Sequence, residues 1–136
     1  MRINVQFLVI SYFVSLFVDW ILQWECQAIN KGKWIKGNYL NAIGALVSHS
    51  YVYAFFTLTI LVLLRVIVTD FQVSTVSLTL FISHVIIDTR IPVKLIMRFK
   101  GMSWDQINDY NTYGFMHINI DQRLHEFVLF ILSYIV

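Results

Sequence analysis

The sequence predicts an all-α membrane protein, a bundle of four transmembrane helices with interfacial loop helices. Three observations carry this expectation. Hydrophobic residues make up 58% of the 136 residues and charged residues only 13%, against about 25% charged in an ordinary soluble domain. A soluble fold this apolar would lack the polar surface to cover its core, so lipid is expected as part of its solvent. Four stretches approach the roughly 20 apolar residues that a membrane helix needs. The β-branched runs around Leu58–Val68 and Val73–Leu80 are continuous rather than alternating. Barrel strands would alternate, and an open sheet in lipid would leave backbone groups unpaired, so both runs are read as helix.

The whole chain, residues 1–136, is expected to form one integral membrane domain, with no linker, low-complexity tract or clear repeat. The first span is placed at about 4–24. It is too long for a signal-peptide core and no small-x-small cleavage site follows, so it is read as retained. The second span, about 41–68, is long enough to tilt or to begin in the interface. The third, about 73–91, is ended or kinked by Pro92. The fourth, about 118–136, barely spans. The short turn near Asp70 makes the second and third spans an antiparallel hairpin. In the connection Pro92–His117, Ser103-Trp104-Asp105-Gln106 fits a capping box that starts a short interfacial helix. Asn108–Gly114 reads as a polar, aromatic loop.

Four spans put both long loops on one side. They carry Lys31, Lys33, Lys36, Lys94, Arg98 and Lys100. The positive-inside rule then places the loops in the cytoplasm and both termini outside, as a multi-pass protein. Trp20, Trp24, Trp34 and Trp104 fit an aromatic belt at that interface. A net charge of +2 gives no argument for nucleic acid. The single cysteine, Cys26, excludes an internal disulfide and a cysteine zinc motif.

The informative residues are those that lipid should exclude: Asp19 and Gln23, His49, His84 and Asp88, and Asp121, Gln122 and His125. With ~1.5 Å of rise per residue, these positions fall within roughly 12 Å of one membrane face. Asp19–Gln23, His84–Asp88 and Asp121–His125 are i,i+4 pairs, which stand on one helix face about 6 Å apart at Cβ. Two ligands at that spacing can hold one ion. A charge inside a span costs ~2.5–3.5 kcal/mol and faces the bundle interior, so pairing or a bound cation is expected. The set suits a divalent metal, zinc or manganese, with His84, Asp88, Asp121 and His125 as ligands. Asp19 or His49 would complete the shell or act as base. A metal so held lowers the pKa of bound water, which suits a hydrolase acting on a lipid-like substrate at the cytoplasmic face. The competing reading makes the pairs interhelical glue in a non-enzymatic protein that binds another membrane protein or a second copy of itself. A proton or cation pathway ranks third, because the opposite layer is mainly apolar.

The motifs also resemble a family. Phe17-Val18-Asp19-Trp20-Ile21-Leu22-Gln23 resembles a D-F-x-x-Q helix end. Ser83-His84-Val85-Ile86-Ile87-Asp88 resembles H-x-x-x-D, and Ile120-Asp121-Gln122-Arg123-Leu124-His125 resembles D-Q-x-x-H. With His49 between them, the order is similar to domain-of-unknown-function family 3307, small bacterial and phage inner-membrane proteins of similar length. The resemblance implies that same membrane setting. This chain departs from the pattern at Ser15, where the family has histidine, and at Thr89 and Arg90, where it tends to have lysine.

Overall fold

The computed structural model describes residues 3–19 and 39–136, and the described part is all helical. The helices are α1 (Val5–Phe17), α2 (Tyr39–Leu63), α3 (Asp70–Asp88), α4 (Ile91–Phe99), α5 (Trp104–Asn108) and α6 (Tyr110–Leu132). The four longest pack in a ring, each against two of the others: α1 on α2 and α6, α3 on α2 and α6. Phe7, Tyr53, Leu61, Leu80, Leu129 and Leu132 fill the space between them. A second small core of Val93, Met97, Ile107 and Ile120 seats α4 and α5 against the first half of α6.

Two helices are long and apolar enough to cross a membrane, Ala42–Leu63 and Asp70–Asp88. The other two expected spans stand differently. α1 is only 13 residues long, and the remainder of the 4–24 stretch lies outside the described residues. α6 has the length, but it carries Asp121, Arg123 and Glu126, and each charge in lipid is costly. Polar residues share the interior with apolar ones, and large apolar residues face outward. Ser11, Ser50, Thr57, His49, His84 and Asp88 are buried, while Phe13, Tyr51, Phe55, Leu78, Ile82 and Phe127 face outward.

The ends of the elements explain where the polar residues meet. The expected second span reaches residue 68, but α2 stops at Leu63. Arg65 takes a left-handed conformation at φ 54, and Arg65 and Val66 donate to the carbonyls of Val62 and Leu61. This is a Schellman stop with arginine where glycine is usual. α3 starts with a full capping box between Thr69 and Gln72, a T-x-x-Q signal that the sequence reading overlooked. It ends at Asp88. Arg90, at φ 62, turns the chain directly into α4, with Pro92 in its first turn. Pro92 therefore opens a helix rather than only ending one. Gly101, at φ 86, closes α4 with its own Schellman pair, as Gly101 and Met102 donate to Arg98 and Met97.

The Ser103–Gln106 capping box is present and starts α5. The expected loop at 108–114 is instead mostly helix. Asp109 caps α6 by accepting from Asn111 and Thr112 N–H, so α6 begins eight residues before the expected span. Hydrogen bonds to Thr112 and Asn111 hold the Asp109 carboxyl below the usual carboxylate range. At the opposite end of the bundle, Asn4 N–H donates to Ser133 O and Gln72 Nε2 to Val136 O. These bonds tie the starts of α1 and α3 to the end of α6.

Two substitutions test these stops. Arg65→Gly removes the left-handed penalty and should stabilise the protein by about 1 kcal/mol. Thr69→Ala removes the α3 cap and should cost about 1 kcal/mol. Denaturant unfolding in detergent micelles measures both.

Candidate metal centre

Five of the six expected site residues converge at one end of the ring. Asp19 follows α1 in a π turn over Val18 and Asp19, an arrangement frequent at functional sites. His49 comes from α2, His84 and Asp88 from the last two turns of α3, and His125 from the middle of α6. All but Asp19 are almost wholly buried, and the Asp19 side chain is only 7% exposed.

The three imidazoles aim Nε2 at the two carboxylates. His49 Nε2 lies 3.1 Å from Asp19 Oδ1 and 3.6 Å from Asp88 Oδ2. His84 Nε2 lies 3.4 Å from Asp19 Oδ1 and 3.6 Å from Asp88 Oδ2. Metal–ligand bonds of ~2.0–2.2 Å in a tetrahedron put neighbouring ligand atoms about 3.3–3.6 Å apart. The four nitrogen–oxygen separations fall at or near that edge length, but Asp19 and Asp88 belong to two different groups of mutually close donor atoms, which share His84. His125 Nε2 stands 3.8 Å from the other oxygen of Asp88, Oδ1. Asp88 thus presents one oxygen to His49 and His84 and the other to His125. The donor atoms of Asp19, His49 and His84, and those of His84, Asp88 and His125, lie within 4.8 Å of one another.

Stacking orients the rings. Tyr53, one turn after His49 on α2, lies 3.9 Å from the His84 ring, and the His125 ring lies 4.2 Å from it. His49 tilts against His84 at 4.9 Å. His49 makes a hydrogen bond to Asp19. His84 Nε2 and His125 Nε2 are buried and make none. The outer Nδ1 atoms of His49 and His84 also have no hydrogen-bond partner among the described residues. Metal-bound histidines usually have such a partner, so packing takes over that orienting role here. At Ser15, where the related pattern has histidine, the hydroxyl donates to Tyr12 O at 2.8 Å and not to the cluster.

Asp121 is placed elsewhere. It lines a neighbouring cavity of about 150 Å³ with Arg90, Val93, Tyr110, Gly114, His117 and Ile118. His117 is buried, stacks on Tyr110 at 4.4 Å and donates from Nε2 to Ile107 O at 2.8 Å. Its Nδ1 is buried with no hydrogen-bond partner. Desolvation, reinforced by the Arg90 and Lys94 charges and opposed by the Ile107 bond, holds His117 below the ordinary histidine range. The sequence reading took His117 as the end of a connection and Lys94 as a loop cation, and gave no site role to Arg90 or Tyr110. Their only sequence signal is a basic–aromatic composition, which does not specify a pocket. Gln23 lies outside the described residues.

No protein-family model, curated protein or solved structure matches the chain in the comparisons made with known proteins.

In an NMR titration, the His117 ring should titrate below 6.5, the ordinary histidine value. Arg90→Gln removes one of the repelling charges and should move the midpoint upward. A midpoint above 6.5 in the unsubstituted protein contradicts the assignment.

Proposed function

We propose that the chain is a bacterial or phage inner-membrane protein with a divalent-metal centre in its helix bundle, serving hydrolysis of a lipid-like substrate at the cytoplasmic face. One observation carries the metal reading: Asp19, His49 and His84 bring one carboxylate oxygen and two imidazole nitrogens from three segments within 4.8 Å of one another. These three would hold the ion and leave a position for water, with Asp88 beside them, and two carboxylates neutralise one divalent cation. Zinc suits two nitrogens and two oxygens, and manganese is the next candidate. A bound ion would lower the pKa of a coordinated water toward neutrality. His125, on the far oxygen of Asp88, is the group to take the proton. This shifts Asp19 and His49 from catalytic roles to the ligand shell and leaves Asp121 outside it. The large apolar residues that face outward and the two apolar helices support the membrane setting, and the motif resemblance supports the same setting from sequence.

A second reading rests on the His49–Asp19 hydrogen bond of 3.1 Å, which joins α1 to α2. The pairs would then be glue in a non-enzymatic protein that binds a membrane partner.

Elemental analysis of protein purified without chelator separates the two. The metal reading expects about one zinc or manganese per chain, and loss of most of it in His84→Ala and in Asp88→Asn. Added metal at 100 times its Kd should raise unfolding stability by about 2.7 kcal/mol. Metal-free protein whose stability ignores added zinc and manganese leaves the glue reading standing. For the chemistry, His125→Ala should retain the metal and lose turnover of lipid phosphoesters or esters by at least about a hundredfold, the lower end for a general base.

A further inference from the structure

The cavity beside Asp121 has the chemistry of a phospholipid headgroup site. It lies between the α3–α4 corner and the first turns of α6. The Arg90 guanidinium is 5.2 Å from the Tyr110 ring centre and Lys94 Nζ is 6.0 Å from it, so one aromatic ring gathers two cations. Lys94 also donates to Asn108 Oδ1 at 2.8 Å. Below them, His117 is only 4% exposed and its Nδ1 makes no hydrogen bond. A buried polar atom left without a partner costs free energy, and here it belongs to a residue that lines an open cavity. With Nε2 donating to Ile107 O, Nδ1 of a neutral ring is a lone-pair acceptor. Asp121 adds a carboxylate to the same wall. Arg90, a neutral acceptor and a carboxylate thus line one small space, and Lys94 stands beside it over the Tyr110 ring.

The size limits the occupant. About 150 Å³ is below the ~300 Å³ at which pockets for drug-sized ligands begin. It admits a phosphate and the first atoms of a headgroup but no acyl chain. The rim supplies the rest. Ile118 lines the cavity and is half exposed, and Ile91, Leu95 and Phe99 form an exposed apolar row along α4. That i, i+4, i+8 row is the face of an interfacial helix that rests in lipid. Basic side chains at such a level attract anionic headgroups.

We propose that this cavity binds the headgroup of a glycerophospholipid that carries an N–H or O–H donor, such as phosphoethanolamine or phosphoglycerol. Arg90 and Lys94 take the phosphate. His117 Nδ1 and the Asp121 carboxylate take the donor, and the acyl chains leave over Ile118 and the α4 row. None of Asp19, His49, His84, Asp88 and His125 lines the cavity, so the site rests on the membrane setting and not on the metal.

Native mass spectrometry of protein released from mixed vesicles of phosphatidylethanolamine, phosphatidylglycerol and phosphatidylcholine tests it. The two donor-bearing lipids should be retained about tenfold over phosphatidylcholine, which has the phosphate but no donor. Arg90→Gln with Lys94→Gln should cut that retention about tenfold. Gly114→Leu is an independent block. Gly114 lines the cavity, and a Cβ there meets nothing within 4 Å, so the added side chain fills space without a clash. It should abolish selective retention with the metal content unchanged, and it decides the matter if the double variant does not fold. Equal retention of phosphatidylcholine, or retention unchanged in Gly114→Leu, overturns the proposal. Inorganic phosphate or glycerol 3-phosphate displacing the lipid at equal concentration overturns it in favour of a soluble anion.

Discussion

Two buried carboxylates, Asp19 and Asp88, constrain everything around them. Both are held where helices turn apolar faces outward, so neither can recover the water it lost. An isolated carboxylate in such a place costs several kcal/mol. Three imidazoles face them at hydrogen-bond or ion-pair distance. Removing one partner from a buried charged group typically costs 3–5 kcal/mol, because it leaves its mate uncompensated. The helices that carry these five residues are therefore bound to meet at this level. The apolar contacts of Leu61, Leu80 and Leu129 allow the ring of helices, but they do not by themselves set its register.

The register depends on how each helix stops. Arg65 and the Thr69 capping box make the α2–α3 hairpin tight, which brings His49 and His84 to the same depth from opposite chain directions. Arg90 ends α3 within two residues of Asp88 and sends the chain into α4, so Asp88 stays at the edge of the bundle interior. The π turn at Val18 and Asp19 does the same for α1. Two of these stops use arginine in a left-handed conformation, where glycine would serve more cheaply. At Arg65 no partner among the described residues explains the choice. At Arg90 the guanidinium lies over Tyr110, and the strained residue supplies a cation to the cavity wall.

Much of this was legible in the residues. Ionisable side chains are costly in apolar runs, so His49, His84, Asp88 and His125 stood out, and a 3.6-residue period put His84 and Asp88 on one face. The capping box at Ser103 was a local signal and so was readable. Asp121 shows the limit of that logic. It is an i,i+4 neighbour of His125, yet it is allotted to a different cavity, because i,i+4 positions share a face only broadly and the packing of α4 against α6 opens a second space there. The helix at 91–99 was hidden by reading Pro92 as a terminator alone, although Gly101 marked its end. The cap at Asp109 was hidden by the polar and aromatic residues after it, which look like a loop until their backbone groups are counted. The number of spans was read from hydropathy, and hydropathy does not weigh the three charges within α6.

The place of the proton separates a metal-binding cluster from a simple hydrogen-bonded one. A neutral imidazole carries one N–H and one lone pair. With the proton on Nε2, the ring donates toward a carboxylate, which is how the His49–Asp19 contact of 3.1 Å reads without an ion. The same tautomer lets His84 aim an N–H between Asp19 and Asp88, 3.4 and 3.6 Å away. A ligand needs the opposite tautomer, with the lone pair on Nε2 and the proton on Nδ1. The Nδ1 atoms of His49 and His84 are buried with no hydrogen-bond partner among the described residues, so a proton there would be held without the outer partner that metal-bound histidines usually have. The choice between metal centre and glue is therefore a choice between two tautomers of the same rings.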